Sequence, residues 1–300
     1  MDNLLTKESK YVVAVSGGVD SVVLLHMLAT NGFKKIIVAH INHGIRPDSN
    51  KDQELVKELA SNYNYGFETV NFNLGANASE ETSRKARYEF LNQIKSSYKA
   101  SAIITAHHQD DVIETAFINI IRGTGRNGLS SLKSDNNLVR PLLNISKSQI
   151  IKYAKLNNLK WLEDSTNQDK TYLRNKIRHD VVAKMSDKQR ASMISIIKNI
   201  SKINLDLDNE LKSFLNRGLH KDKLVLNRSW FCKLPHNIAT EVARLILIRA
   251  GSREIDKDSI ERFVVGVKTL PAGKTIQLSG VVILLTKRSA RIKKHSKTDN

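Results

Sequence analysis

The first hundred residues alternate short apolar runs, rich in β-branched side chains, with segments of helical periodicity. The apolar runs are typical of strands and the segments between them of helices. Strands are predicted at 10–15, 34–41, 66–72 and 101–106, and helices at 21–31, 48–64 and 80–97. Because apolar strands separated by helices form parallel sheets covered on both faces, the pattern predicts a doubly wound α/β domain.

Polar residues stand near the carboxyl ends of three predicted strands, namely Ser16, His40 and His107. Sheets of this kind bind ligands at that edge. A helix predicted at 109–121 follows, with an apolar stripe along it. Three acids lie together beside that stripe, and Arg122 comes at the helix end; the acids are Asp110, Asp111 and Glu114. The sequence therefore predicts that several distant segments meet at one functional edge.

The second half of the chain has a different organisation. Another helix is predicted at 146–157, and a long helix at 187–215 is expected to link two domains. We expect an α/β catalytic domain at 1–186 and a smaller, mainly helical domain at 216–300. That second domain is expected to end in a hairpin across Ser279-Gly280, followed by a basic tail.

Charge and composition limit the functional classes. Lysine and arginine number 48 against 30 acidic residues, a formal net charge of +18, which favours a polyanionic partner because phosphate contacts release counterions. A lysine-rich proteome would give the same excess without such a partner. No apolar stretch approaches the roughly 20 residues of a membrane span, and the N-terminal residues lack a signal-peptide pattern, so we expect a cytoplasmic protein without a membrane partner. The single cysteine, Cys232, excludes an internal disulfide and a CxxC site.

The first predicted strand ends in an unusual polar loop. It consists of Ser16, Gly17, Gly18, Val19, Asp20 and Ser21. Glycines allow the backbone to approach an anion, and the following helix N-terminus would bind phosphate. The pattern is neither a Walker A loop nor a GxGxxG turn. Asp20 would repel bare phosphate, which suggests a bridging Mg²⁺. The alternative is a tight turn in which Ser and Asp only cap the helix.

The SGGVDS loop resembles the pyrophosphate loop of the PP-loop ATP-pyrophosphatases, which cleave ATP between the α and β phosphates. Further stretches resemble the tRNA(Ile)-lysidine synthetases across roughly the first 180 residues. They are HINHGIR at 40–46, AHHQDD at 106–111 with ET at 114–115, RGTG at 122–125, RPLL at 140–143, EDSTN at 163–167 and RNKIR at 174–178.

The resemblance implies a reaction and a set of site residues. ATP would adenylate the C2 oxygen of cytidine 34 in the CAU anticodon of tRNA(Ile), and free lysine would displace AMP to leave lysidine, which changes codon reading from AUG to AUA. The loop residues with His40 and His43 would bind ATP, and Asp20 and Asp111 would hold Mg²⁺. The catalytic residues would be Asp20, Asp110, Asp111, Glu114 and Arg122, and the substrate or tRNA ligands His107, Arg174 and Arg178. The basic surface of 216–300 makes that region a candidate tRNA-binding domain, with a packing module as the alternative; its basic residues include Lys287, Arg288, Arg291, Lys293 and Lys294. The resemblance is compatible with a homodimer.

Other interpretations stay open at this point. The histidines could be packed strand-end residues, the acids an ordinary helix N-terminus, and the arginines a solvated basic face. Thiolation is disfavoured because it generally relies on cysteines, and Cys232 stands outside the predicted catalytic domain. A non-catalytic RNA-binding protein on this fold, or a PP-loop ligase acting on a small metabolite, remains an alternative.

Overall fold

The computed structural model describes residues 4–42, 49–72, 80–162, 173–220, 224–252 and 255–294. The chain forms two compact units, Met1–Ser201 and Lys202–Asn300. In the described part of the chain, no helix combines the length and the apolar character that crossing a membrane requires.

The first unit is built on a five-stranded parallel sheet. Its strands are β1 (Tyr11–Ala14), β2 (Ile36–Asn42), β3 (Gly66–Asn71), β4 (Ala102–Ile104) and β5 (Leu138–Val139). They are arranged in the order β3-β2-β1-β4-β5, and every adjacent pair is parallel. The predicted parallel α/β sheet is confirmed.

Helices cover both faces of this sheet. They are α1 (Val19–Thr30), α2 (Ser49–Asn62), α3 (Glu80–Ser97), α4 (Gln109–Ile121), α5 (Lys147–Leu156) and α6 (Leu173–Asp180). Strand residues alternate between the faces, as the period of two requires. Val13 and Val38 pack with α1, α2 and α5 on one face. Val12 and Ile37 pack with Leu91 of α3 on the other.

A long helix, α7 (Asp187–Leu215), follows, and the boundary between the two units falls within it. The division into domains at 1–186 and 216–300 therefore stays a prediction.

The second unit contains a five-stranded antiparallel sheet. Its strands are β6 (Leu219–His220), β7 (Val225–Asn227), β8 (Thr275–Leu278), β9 (Val281–Leu285) and β10 (Ser289–Lys294), in the order β6-β7-β10-β9-β8. Its helices are α8 (Arg228–Cys232), α9 (His236–Ala250) and α10 (Lys257–Thr269). The predicted hairpin is confirmed: β8 and β9 pair across Ser279-Gly280, with Gly280 at a φ of 80°.

The prediction that this region is mainly helical is wrong. β10 lies at the centre of the sheet, paired with both β7 and β9. Its buried Ala290 and Ile292 alternate with the exposed Arg291 and Lys293, which is the period of a half-buried strand. The alternation is hidden within a lysine- and arginine-rich run, so the segment had the composition of a basic tail.

Candidate active site

The SGGVDS loop joins β1 to α1 at the carboxyl edge of the sheet. Gly17 has a φ of 93°, a conformation that side chains with a Cβ rarely adopt. Gly18 is the N-cap of α1 and has no side chain with which to accept from the first amides. The Ser21 hydroxyl instead donates to the Gly18 carbonyl at 2.9 Å and accepts from the Ser16 amide at 3.2 Å. The serine hydroxyl therefore forms hydrogen bonds within the loop. Among the residues that the structure describes, no side chain caps the N-terminus of α1, although the alternative of a tight turn with capping Ser and Asp residues requires such a cap.

Asp20 follows in the first turn of α1, and its carboxylate is paired with Lys147. The Lys147 Nζ donates to both Asp20 oxygens, at 2.6 and 2.8 Å. Lys147 is the first residue of α5. Its contact with the loop was not predicted.

His108 brings two carboxylates together at the start of α4. It is the N-cap of that helix, and its Nδ1 accepts from the Asp110 amide at 3.2 Å. Its Nε2 lies 3.5 Å from the Asp111 carboxylate and 3.8 Å from that of Asp20. Asp111 of α4 and the loop acid Asp20 therefore converge, as the shared sheet edge predicts. His108 itself was not among the predicted site residues.

Two arginines of α6 bind the same acids. Glu114 is only 1% exposed, and its Oε2 accepts from Arg174 Nε at 2.9 Å while its Oε1 accepts from Arg178 Nε at 2.6 Å. Arg174 also donates to Asp111 Oδ1 at 3.1 Å. Both oxygens of Glu114 are thus engaged with guanidinium groups. Arg174 and Arg178 lie within the site and not on a solvated basic face.

Asp110 has a different partner. Its Oδ2 accepts from Arg190 Nη1 of α7 at 2.6 Å. Its Oδ1 is buried and has no hydrogen-bond partner within the described ranges. Sequence reasoning missed Arg190, because nothing in the local pattern of α7 indicates that this arginine reaches α4.

The charges shift the pKa values of the site in two directions. Burial raises the pKa of Asp111, but the nearby His108 and Arg174 outweigh it, and the pKa falls to about 2. Burial lowers the pKa of His107 to about 4, against an opposing effect of Asp111. For Arg178, burial acts to lower the pKa, but the hydrogen bond and charge of Glu114 dominate and raise it. The pKa shifts favour an ionised Asp111 carboxylate and a neutral His107 near neutral pH.

The remaining predicted residues are placed as follows. His40 lies within β2, 2% exposed, with Nδ1 2.9 Å from the Val15 carbonyl and with Nε2 unpartnered in the part of the chain that the structure describes. Burial lowers the pKa of His40. The Nδ1 of His107 lies 2.8 Å from the Thr105 hydroxyl. Arg122 is the exposed C-cap of α4, about 12 Å along the helix from Glu114 and about 18 Å from Asp110 at 1.5 Å per residue. The structure therefore does not bring Arg122 to them. His43 lies outside the described residues.

The acids of the site offer few free oxygens to a metal ion. Within the described ranges no group of three His, Cys, Asp or Glu residues is arranged to hold one. Mg²⁺ is commonly bound through one or two carboxylates together with substrate phosphates, and the partly exposed Asp20 beside the loop fits that mode. Asp111 fits it less well, because its Oδ2 accepts from the His108 amide and its Oδ1 from Arg174.

Comparisons with known proteins agree with this architecture. A family model described as a PP-loop domain matches residues 1–185. The tRNA(Ile)-lysidine synthase of Thermosipho africanus is 32% identical over 275 residues, which cover 87% of this chain and 62% of that protein. The corresponding synthase of Wolbachia pipientis wMel is 42% identical over 195 residues, covering 60% and 44%. The chain spans less than two thirds of the length of these relatives.

A solved structure of a U34-tRNA thiolase from Methanococcus maripaludis superposes with a TM-score of 0.55 at 20% identity, covering 67% of this chain and 74% of that one. This likeness concerns the fold alone. Because the family model covers more than half of a chain whose glycine loop joins the first strand of a parallel sheet to the next helix, the protein belongs to the PP-loop family of ATP-binding domains.

Proposed function

We propose that the protein is an ATP-dependent tRNA(Ile)-lysidine synthetase, which ligates lysine to C2 of cytidine 34 in a CAU anticodon. The observation that carries the proposal is the convergence of four segments on one carboxylate cluster. The glycine loop contributes Asp20, α4 contributes Asp111 and Glu114, α5 contributes Lys147, and α6 contributes its two arginines. The similarity to lysidine synthases over most of this chain supports the choice of reaction.

ATP would be held by the loop. The amides of residues 16–21 and the N-terminus of α1 would bind the departing pyrophosphate, because backbone N–H groups and the helix dipole favour anions there. Mg²⁺ bound to Asp20 would neutralise charge that develops on the phosphates. We assign Asp111 as its second carboxylate only if the bonds to the His108 amide and to Arg174 are exchanged. His40 and His43 stay proposed nucleotide ligands.

The oxygen at C2 of cytosine is a poor leaving group until it carries an adenylate. Catalysis of the transfer depends on positioning and on charge stabilisation. Arg174 and Arg178 would stabilise charge on the α phosphate, and Glu114 would hold both arginines in place. Asp110, whose Oδ1 has no hydrogen-bond partner within the described ranges, would orient the ammonium of lysine and accept a proton from it. His107 would contact the substrate base. Arg122 stays a proposed catalytic residue, although it lies at the other end of α4 from this cluster.

The tRNA is proposed to contact both parts of the chain, the catalytic domain at 1–186 and the domain at 216–300 beyond the linking helix at 187–215. The net charge of +18 supports an anionic partner. Cytidine 34 would be turned out of the anticodon loop, as enzymes that act on one base require. The proposal includes action in the cytoplasm and allows a homodimer.

Incubation with ATP, labelled lysine and a tRNA(Ile) transcript bearing CAU tests the proposal. We expect label on cytidine 34 together with release of AMP and pyrophosphate, and no label on a transcript with uridine 34. Asp20→Ala should abolish AMP release while tRNA binding stays nearly unchanged. Absence of lysine incorporation, with ATP–pyrophosphate exchange on a small acceptor, would instead identify a metabolite ligase. Binding of tRNA without any AMP release would identify a non-catalytic RNA-binding protein.

A further inference from the structure

Lys147 forms a close ion pair with Asp20 of the SGGVDS loop, and the mechanism proposed above gives this lysine no role. Its ammonium bonds both oxygens of Asp20, at 2.6 and 2.8 Å, although its side chain is 35% exposed. A lysine with that exposure and no anchored backbone gains little from such a pair.

Hydrogen bonds and packing fix the backbone of α5, which begins at Lys147. Ser146 and Gln149 form a capping box that fixes the first turn of α5. Further along, Tyr153 bonds His26 of α1 at 3.0 Å, and Ile150 is buried in the core beside α1. After the helix, the Leu162 amide donates to the Gly17 carbonyl at 3.1 Å. These contacts hold α5 in the position from which the Lys147 side chain reaches the SGGVDS loop.

An ammonium and a divalent cation compete for the Asp20 carboxylate. Mg²⁺ binds carboxylate oxygens at about 2.0–2.1 Å. An ammonium that stayed on the same oxygens would lie within about 4 Å of that ion, where like charges repel strongly. Lysine, however, carries its charge on a flexible four-carbon stem and is a common phosphate ligand. The same ammonium can therefore leave Asp20 and reach phosphates held by the adjacent loop.

We propose that Lys147 is a phosphate-binding residue of the ATP site that pairs with Asp20 only while Mg²⁺ and nucleotide are absent. When both bind, Asp20 becomes a ligand of the cation, and the Lys147 ammonium moves to the phosphates. With and without Mg²⁺ and nucleotide, Asp20 and Lys147 would each have a partner of opposite charge. This inference rests on the proposed function, because it needs ATP and Mg²⁺ at the loop.

Two binding measurements on Lys147→Met test the exchange. Binding of Mn²⁺ alone, followed by electron paramagnetic resonance, should tighten by about twofold to fivefold, because the competing ammonium is gone. Binding of α,β-methylene-ATP with Mg²⁺, followed by calorimetry, should weaken by about tenfold, because the phosphates lose a charge-assisted hydrogen bond. Lys147→Arg should keep nucleotide affinity near that of the wild type. Neither measurement needs tRNA or lysine, so a failure of lysidine formation gives a different result from a failure of this inference.

Lys152→Met is the matched control, since Lys152 is exposed on the same helix. It should change neither affinity. Asp20→Asn should remove the Mn²⁺ tightening when combined with Lys147→Met. Opposite changes in the two affinities support the exchange, because loss of local structure would weaken both. A parallel fall of both affinities, no change in either, or tighter Mn²⁺ with unchanged nucleotide binding would each overturn it.

Discussion

Glu114 has both carboxylate oxygens occupied by guanidinium groups, whereas Asp20 shares its oxygens with a single lysine ammonium. A buried carboxylate needs such partners, because removing one partner leaves an uncompensated charge. Glu114 therefore cannot bind the ammonium of a substrate without giving up an arginine. Asp20 is more exposed and exchanges its partner at lower cost. The hydrogen-bond partners of each acid therefore decide which of these acids can bind a ligand.

At the same scale, His107 makes stability depend on pH. Burial, with the nearby Arg140 and Arg174, lowers its folded pKa to about 4 from an ordinary value of 6.5, although Asp111 opposes the shift. The unfolded chain then takes up the proton first, so stability is present above 6.5 and lost as the pH falls towards about 4. We expect the wild type to lose on the order of 1–2 kcal/mol more unfolding free energy than His107→Gln between about pH 7 and pH 5.

Urea unfolding measures this difference if the probe reports on the first unit. Trp161 packs beside the core of that unit, whereas Trp230 belongs to the second. Replacing Trp230 by phenylalanine in all proteins isolates the Trp161 fluorescence. The control is His236→Gln in the second unit, whose side chain is 54% exposed. If the pH profiles of the wild type and His107→Gln were parallel, burial of His107 would not be the cause of the acid sensitivity.

At the scale of elements, α7 is tied to the first turn of α4 by one arginine. Arg190 donates to Asp110 at 2.6 Å and to the Val182 carbonyl at 2.7 Å. Arg190→Met would leave the buried Asp110 carboxylate without its cation. We expect the unfolding free energy of the first unit to fall by about 2–4 kcal/mol, as when one member of a buried ion pair is removed. Urea unfolding followed by Trp161 fluorescence measures the loss.

A double-mutant cycle separates the pair from the general effect of changing α7. Asp110→Asn combined with Arg190→Met should be less destabilising than the sum of the single variants by about 2 kcal/mol, because both singles break the same pair. Lys188→Met removes an exposed charge two residues away on the same helix and should have little effect. Additive losses in the cycle would show that Arg190 acts through its bonds to the Val182 and Met185 carbonyls and not through Asp110.

Hydrophobic periodicity accounts for the elements that were predicted and for those that were missed. α4 was predicted at its observed limits because its apolar stripe is uninterrupted. β10 was missed because its two buried residues stand among lysines and arginines. The shared sheet edge predicted that Asp20 and Asp111 approach each other. The contacts of Lys147 and Arg190 could not be predicted, because they depend on how distant helices pack.

At the scale of the whole molecule, both units carry an excess of positive charge. The net charge therefore does not indicate where an anionic partner binds, and the positions of the exposed basic residues must be considered. The first unit places several basic side chains against its own acids, where they are already paired. β10 differs, because its exposed Arg291 and Lys293 project from one face of a strand whose other face is buried. That strand presents a row of charge on a rigid support, the arrangement that suits a nucleic-acid backbone.

We therefore expect Arg291→Gln combined with Lys293→Gln to weaken tRNA(Ile) binding and to lower the slope of log affinity against log salt by about 1–2, since each phosphate contact contributes about 0.9. Filter binding across a salt series measures both quantities. The matched control is Lys34→Gln with Lys99→Gln, the same loss of charge at exposed positions that precede β2 and β4, at the sheet edge opposite the site. Binding of α,β-methylene-ATP should be unchanged in both double variants, because β10 belongs to the second unit and because Lys34 and Lys99 lie at the sheet edge opposite the loop. An equal fall in tRNA affinity for the two pairs would mean that net charge, and not the β10 surface, attracts the tRNA.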